Sequence, residues 1–272
     1  MTRKPFEDLT LADDFMFCKV MEHESLCRPF LEMLFSVKIE KITYLSSQNT
    51  VSADLGAKTV RLDVLVKDGS GTSYDIEMQV GNEYNIPKRM RYYQAVLDVA
   101  FLDKGYSYKA LNNSVIIFVC LFDPIGNNRA IYTFENICRE NKSILLQDGT
   151  KKVILNAKAF NETDNQELQG FLQYVKTGKV TTEYTGRIEQ MIQIVKHNEL
   201  ARKEYHILPA ILMDAMDEGL ERGKSLGLAE GEARGSRQKA LETAKNLLHL
   251  GLSRENIAQA TGLTKAEVEA LK

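Results

Sequence analysis

The chain holds only four cysteines, Cys18, Cys27, Cys120 and Cys138, and none forms a CxxC pair. That is too few for a disulfide scaffold in 272 residues, and it implies a reducing, cytoplasmic setting. Long apolar stretches are missing as well. The longest run, residues 115–122, has eight residues, against the ~20 of a helical membrane span. The N-terminal MTRKPFEDLTLADDF has no apolar core of signal-peptide length. A soluble protein with no membrane partner is therefore expected. Neither sign of charge dominates: 35 basic and 37 acidic residues leave −2. This excludes a histone-like chain but leaves room for a local basic groove. The four histidines, His23, His197, His206 and His249, form no HxxxH or HExxH pattern, so zinc hydrolysis is unsupported. GxxxxGK[ST] and GxSxG are both absent, which argues against P-loop ATPases and serine hydrolases.

What is present is ordinary globular material, 44% apolar and 26% charged, long enough for one or two domains. Residues 9–35 read as helix, with Phe15, Cys18 and Met21, then Phe30, Met33 and Leu34, recurring at three or four. Residues 41–45 are strand-like. Residues 87–102 read as helix, opening on Lys88, Arg89 and Arg91 and closing at Lys104-Gly105. SVIIFVCLF reads as a strand buried on both faces. Residues 130–134 and 152–156 are further β segments, the second following Asp148-Gly149. Beyond about residue 164 the chain turns helical, at 167–175 and 183–204, then at 239–250, 254–260 and 265–271.

Residues 58–80 carry the most information. KTVRLDVLVKD and SYDIEMQV both alternate with period two, and DGSGT lies between them, so they form a hairpin. Val60, Leu62, Val64 and Val66 share one face; Arg61, Asp63, Leu65 and Lys67 share the other. Centred on Ser70, the hairpin sets Asp63 opposite Glu77 and Leu65 opposite Asp75, with Cβ atoms about 5 Å apart. Asp63, Glu77 and Gln79 then cluster. Two carboxylates so close repel unless a positive charge intervenes. Mg²⁺, an oxygen-seeking cation, fits such a pair; so do Mn²⁺ and Ca²⁺. Two acids on the solvent face of a hairpin, neutralised by Arg61 or Lys67, are the plainer alternative.

The order and spacing of several segments resemble the PD-(D/E)XK nuclease superfamily, and within it the recombination-promoting nuclease, transposase-like subfamily. These are LADDFMFCKVM at 11–21, RLDVLV at 61–66, DIEMQV at 75–80, KRMRYYQAVL at 88–97, KGYSYKALNNSVIIFVCLFD at 104–123, and the glycine-repeat ending with GLSRENIAQATGL. The resemblance implies an α/β, restriction-endonuclease-like αβββαβ core with a mixed sheet and an all-helical C-terminal region. Its helices would be 9–35 and 87–102, its strands 41–50, 58–67, 73–80 and 114–122. The nuclease-like domain would span 1–160, with a helical extension at 161–212 packing on it. The resemblance further implies a metal-dependent DNA endonuclease of low sequence specificity, linked to recombination or mobile elements. Asp63 and Glu77 would hold the metal, with the Met78 carbonyl as a third ligand. Gln79 stands where the superfamily has lysine, and an amide orients groups by hydrogen bonds but carries no charge. That keeps open a catalytically weak nucleic-acid-binding or regulatory protein on the same fold. Asp14 would add a third carboxylate or serve as a helix N-cap; Lys19, a turn later, would face phosphate. Arg89 with Tyr93, or Arg91 with Gln94, would present a DNA-binding face.

Five glycines recur every four residues, Gly219, Gly223, Gly227, Gly231 and Gly235. Each costs a helix roughly 1 kcal/mol against alanine. Residues 213–236 are thus either a helix packed closely on a partner, with a homodimer through the C-terminal helices as one arrangement, or an acidic linker. Residues 237–272 read as a small helical, helix-turn-helix-like module, with Thr264 and Glu267 as a capping box on its last helix.

Overall fold

The computed structural model describes residues 4–47, 50–51, 60–102 and 104–271, without the side chains of 46–51, 60, 208–230 and 232–233. Its compact units are Met1–Tyr205 and His206–Lys272. The first opens with α1 (Asp14–Met21) and α2 (Glu24–Phe35). The single helix expected over 9–35 is broken because His23 adopts an extended backbone, and its carbonyl starts α2 by accepting the N–H groups of Leu26 and Cys27. Pro29 lies inside α2 and has no N–H for the carbonyl of Ser25. The Arg187 guanidinium donates to that carbonyl instead. The Tyr184 hydroxyl donates to Leu26 O in the same turn, at 2.9 Å.

The strands follow as β1 (Ile42–Ser47), β2 (Thr50–Val51), β3 (Val60–Arg61), β4 (Val64–Asp68) and β5 (Ser73–Gln79). Positions 48–49 and 58–59 of the expected strands lie outside the described residues. The β4–β5 hairpin pairs Leu65 with Asp75 and Val64 with Ile76, the register that a turn centred on Ser70 requires. Gly71, at φ +92°, supplies the left-handed residue of that turn. The expected alternation fails at one point. The backbone bends at Asp63, so Leu62 and Leu65 join the same core cluster, and the face expected to be polar is buried.

Helix α3 (Ile86–Phe101) crosses from β5 to the parallel strand β6 (Ser114–Cys120), and β7 (Ile131–Phe134) and β8 (Thr150–Asn156) complete the sheet. The strand order is β1-β4-β5-β6-β8-β7, antiparallel at both edges and parallel at β5-β6-β8, so the sheet is mixed and the fold is α/β. Met90 and Leu97 of α3 pack with Ile116, Phe118 and Ile154 on one face. On the other, Phe35 of α2 packs against Tyr74 with tilted rings, centroids 5.8 Å apart. Helices α4 (Gln166–Thr177) and α5 (Glu183–Lys196) follow. Phe171 of α4 lies against Phe30 at 5.0 Å. The helix expected over 183–204 ends at Lys196, and Asn198 then caps α6 (Glu199–His249) by accepting from the N–H groups of Leu200 and Ala201.

The backbone of α6 is helical through all five repeated glycines. What surrounds Gly219, Gly223 and Gly227 lies outside the described residues; Gly231 and Gly235 have nothing within 4 Å of an added Cβ. In the second unit, α7 (Arg254–Thr261) and α8 (Lys265–Ala270) close with the end of α6 around Ala244, Ile257, Leu263 and Val268. The capping box is formed: Thr264 N–H donates to Glu267 Oε2 at 2.8 Å, and Glu267 N–H to Thr264 Oγ1 at 3.3 Å. Among the described residues no helix is long and apolar enough to cross a membrane.

Candidate active site

The β4–β5 ladder stops at Val64 and Ile76. Just beyond it, two carboxylates fasten the strands to each other. Asp63 N–H donates to Glu77 Oε1 at 2.9 Å, and Met78 N–H donates to Asp63 Oδ2 at 3.0 Å. The bend at Asp63 frees these main-chain groups from the ladder, and the carboxylates take its place. Each carboxylate therefore spends one oxygen on backbone; the second oxygen of Glu77 faces the Arg89 guanidinium at 3.4 Å. In a strand the N–H and C=O of one residue point to the same side, so the Met78 carbonyl is directed toward Asp63 as well.

Burial governs the electrostatics. Glu77 is 3% exposed. Burial first, then the Asp63 charge, pushes its carboxyl up to about 8, against the pull of Asp63 N–H and Arg89. Asp63 is pushed up to about 6, first by burial; the Met78 N–H opposes this, and the Asp14 charge adds to it. Asp14 is thus within electrostatic reach of the pair. It is the first residue of α1; the N-cap position belongs to Asp13, whose Oδ2 accepts from Thr10 N–H at 2.7 Å.

Helix α3 brings the cation. The Arg89 guanidinium donates to Gln79 Oε1 at 2.5 Å, to Tyr93 Oη at 2.9 Å and to Glu77 Oε2 at 3.4 Å. It also lies 5.0 Å from the Phe118 ring centroid. Gln79 spends its amide N–H on Gly81 O at 2.6 Å. Of the two faces open from spacing, Arg89 with Tyr93 is the one turned to the carboxylates. The other is not a shared face, and this corrects the placement of Gln94. Its side chain is 6% exposed, under the sheet, donating to Ser114 Oγ, while Arg91 is exposed. Lys19 does not reach the carboxylates; its ammonium is held by Glu204 at 2.9 Å and Glu22 at 3.6 Å.

Asp75 is the participant that the sequence did not single out. It is completely buried beside Glu77, neither of its oxygens has a hydrogen-bond partner, and its carboxyl is pushed well above the usual range by burial and by the charges of Glu77 and Asp63. The signal available was its two-residue spacing from Glu77, which puts both on one strand face.

Among the described residues, no group of three or more His, Cys, Asp and Glu side chains stands ready to hold a metal ion. The set at hand is two carboxylates and a carbonyl. It is all oxygen, carries excess negative charge, and has orphaned carboxylate oxygens next to it. That chemistry fits a hard divalent cation that keeps part of its water.

A family model described as PD-(D/E)XK nuclease family transposase matches residues 12–206. A second, described as the Rpn/YhgA-like nuclease family C-terminal HTH domain, matches residues 237–272. No curated protein and no solved structure matches the chain. The first match spans well over half of the chain and includes Asp14, Asp63, Glu77, Gln79 and Arg89. The chain therefore belongs to the PD-(D/E)XK nuclease family transposases, and it carries the HTH domain of the Rpn/YhgA-like nucleases at its C-terminal end.

Proposed function

We propose that the protein is a divalent-metal-dependent DNA endonuclease of low sequence specificity. The observation that carries this reading is the reciprocal clasp of Asp63 and Glu77, which holds two carboxylates side by side at the open end of a ladder. Asp63, Glu77 and the Met78 carbonyl would hold the metal, with Asp14 nearby. When bound there, Mg²⁺ or Mn²⁺ supplies positive charge to the scissile phosphate and lowers the pKa of water. The residues of the chain do the rest. Arg89 draws Glu77 toward its charged form and fixes the Gln79 amide. Gln79 orients its neighbours by hydrogen bonds and moves no proton. The exposed cations at the start of α3 engage the phosphate backbone, which dominates nucleic-acid affinity. Hydrolysis adds a water oxygen to phosphorus and breaks one phosphorus–oxygen ester bond, the leaving oxygen taking a proton. Four free cysteines, three of them buried, agree with a reducing cytoplasm.

The experiment is nicking of supercoiled plasmid in Mg²⁺ by the purified chain, by Asp63→Ala and by Glu77→Ala. Cleavage by the native chain alone is the expected result. Equal cleavage by all three would place the chemistry elsewhere. No cleavage by any, across several metals, would favour the second reading, a nucleic-acid-binding protein with little catalysis. The engagement of Gln79 by Arg89 gives that reading its support.

A further inference from the structure

Between Gln79 and α3, the chain makes a short loop, residues 80–85, tied at its start to the Gln79 amide. Gly81 O accepts the Gln79 amide at 2.6 Å, and the charge of Glu83 bears on Arg89. Within this loop Tyr84 is 91% exposed. Its backbone sits at φ +56°, a conformation that bulky residues rarely adopt. Tyr84 N–H donates to Asn82 Oδ1 at 2.9 Å, while the Asn85 amide donates to Glu83 Oε2 at 3.1 Å. The loop thus spends local hydrogen bonds on a backbone that presents an aromatic ring to water.

The surroundings of this ring identify what would cover it. Lys88 and Arg91 are both exposed and follow Tyr84 by four and seven residues. Lys88 and Arg91 are three apart on α3, hence on one face, and neither has an ion-pair partner among the described residues. Arg89 and Tyr93 take the inner face, on the carboxylates. An exposed ring followed within two helical turns by exposed cations supplies the two elements that bind a nucleic-acid strand, the ring stacking on a base and the cations meeting phosphates. Tyr84 lies five residues from Gln79 and five from Arg89. Even fully extended, that is about 18 Å at most, so the ring lies within a few nucleotides of the carboxylates.

We infer that Tyr84 is a base-stacking residue of the substrate site, with Lys88 and Arg91 as its phosphate contacts. The inference rests on the nuclease reading and deepens it: the bound substrate has an accessible base face near the scissile bond, as in single-stranded or locally opened DNA.

The test uses the full chain in EDTA, where cleavage is off, and anisotropy of a labelled single-stranded oligonucleotide. Tyr84→Ala is expected to weaken binding roughly 5- to 150-fold, the range for loss of one base–aromatic stack. Tyr84→Phe is expected to bind within about twofold of native, because stacking needs the ring and not the hydroxyl. Tyr84→Ala should leave the slope of log affinity against log salt unchanged. Lys88→Ala with Arg91→Ala should reduce that slope by about 1.4, at ~0.7 per phosphate contact on a single strand. Native binding by Tyr84→Ala, with the salt slope still falling in the lysine–arginine double variant, would overturn the stacking role and leave the nuclease reading intact. Failure of the native chain to bind the oligonucleotide both in EDTA and in Ca²⁺ would overturn both.

Discussion

Glu77→Gln offers the sharpest check on the electrostatics of the site. The glutamine carbonyl still accepts from Asp63 N–H, so the clasp survives while the titrating group is removed. In the native metal-free chain the Glu77 carboxyl rises from 4.5 to about 8 on folding. A carboxyl raised in this way contributes stability below its unfolded pKa and loses it as pH climbs through the folded one. The loss therefore develops between about pH 4.5 and pH 8. At 1.36 kcal/mol per pKa unit it reaches about 5 kcal/mol, a large part of the 5–15 kcal/mol typical of whole domains. Urea unfolding in EDTA at pH 5, 7 and 9 reads it directly. Native protein should weaken steeply over this range, and Glu77→Gln should keep a shallower dependence, the part due to Asp63 and Asp75. At pH 8, Mg²⁺ at about a hundred times its Kd should return about 2.7 kcal/mol to the native chain and distinctly less to the variant. Equal pH slopes in both proteins would refute the claim that burial of the Glu77 charge dominates this site.

Three further outcomes are expected. Gln79→Lys places a second cation against Arg89, so it should lower both nicking rate and Tm; a faster nuclease would show that the superfamily lysine is compatible with this helix. Arg187→Ala, which leaves the exposed Ser25 carbonyl beside Pro29 to water, should cost about 0.5–1.5 kcal/mol in urea unfolding, the net worth of one hydrogen bond. The same change in a Pro29→Ala background should cost less, because the restored N–H takes over that carbonyl, and an unchanged cost would contradict the assignment. Thr264→Ala should destabilise the C-terminal unit by about 1 kcal/mol, the worth of a helix cap, visible as faster amide exchange in α8 while the carboxylate site keeps its nicking rate.

Much of the site was legible in the sequence because a short glycine turn and period-two alternation leave little freedom of register. Ser70 as the centre of the turn was enough to set Leu65 against Asp75 and to carry Asp63 to Glu77. The bend at Asp63 was not legible. It depends on the Glu77 carboxylate accepting from Asp63 N–H and the Asp63 carboxylate from Met78 N–H, contacts made only after the strands pair. Nor did alternation reveal that α3 would cover the polar face, so the burial of Asp75 and Gln94 escaped notice. The helix breaks at His23 and at 197–198 went unread because apolar spacing continues across both, and the decisive events are single backbone dihedrals and one asparagine cap.

The positive charge beside the carboxylates rides on α3, not on the strand that carries Glu77. A lysine two residues along β5 would be locked to the acids by the backbone itself. Arg89 reaches them from a separate element, so its position follows how Met90 and Leu97 seat on Ile116 and Phe118 as well as its bonds to Gln79 and Tyr93. The helix–sheet seam therefore works as an adjustment screw. A methylene added or removed there shifts the guanidinium relative to Glu77, so hydrophobic substitutions remote from the carboxylates should move the pH at which Glu77 takes its charge.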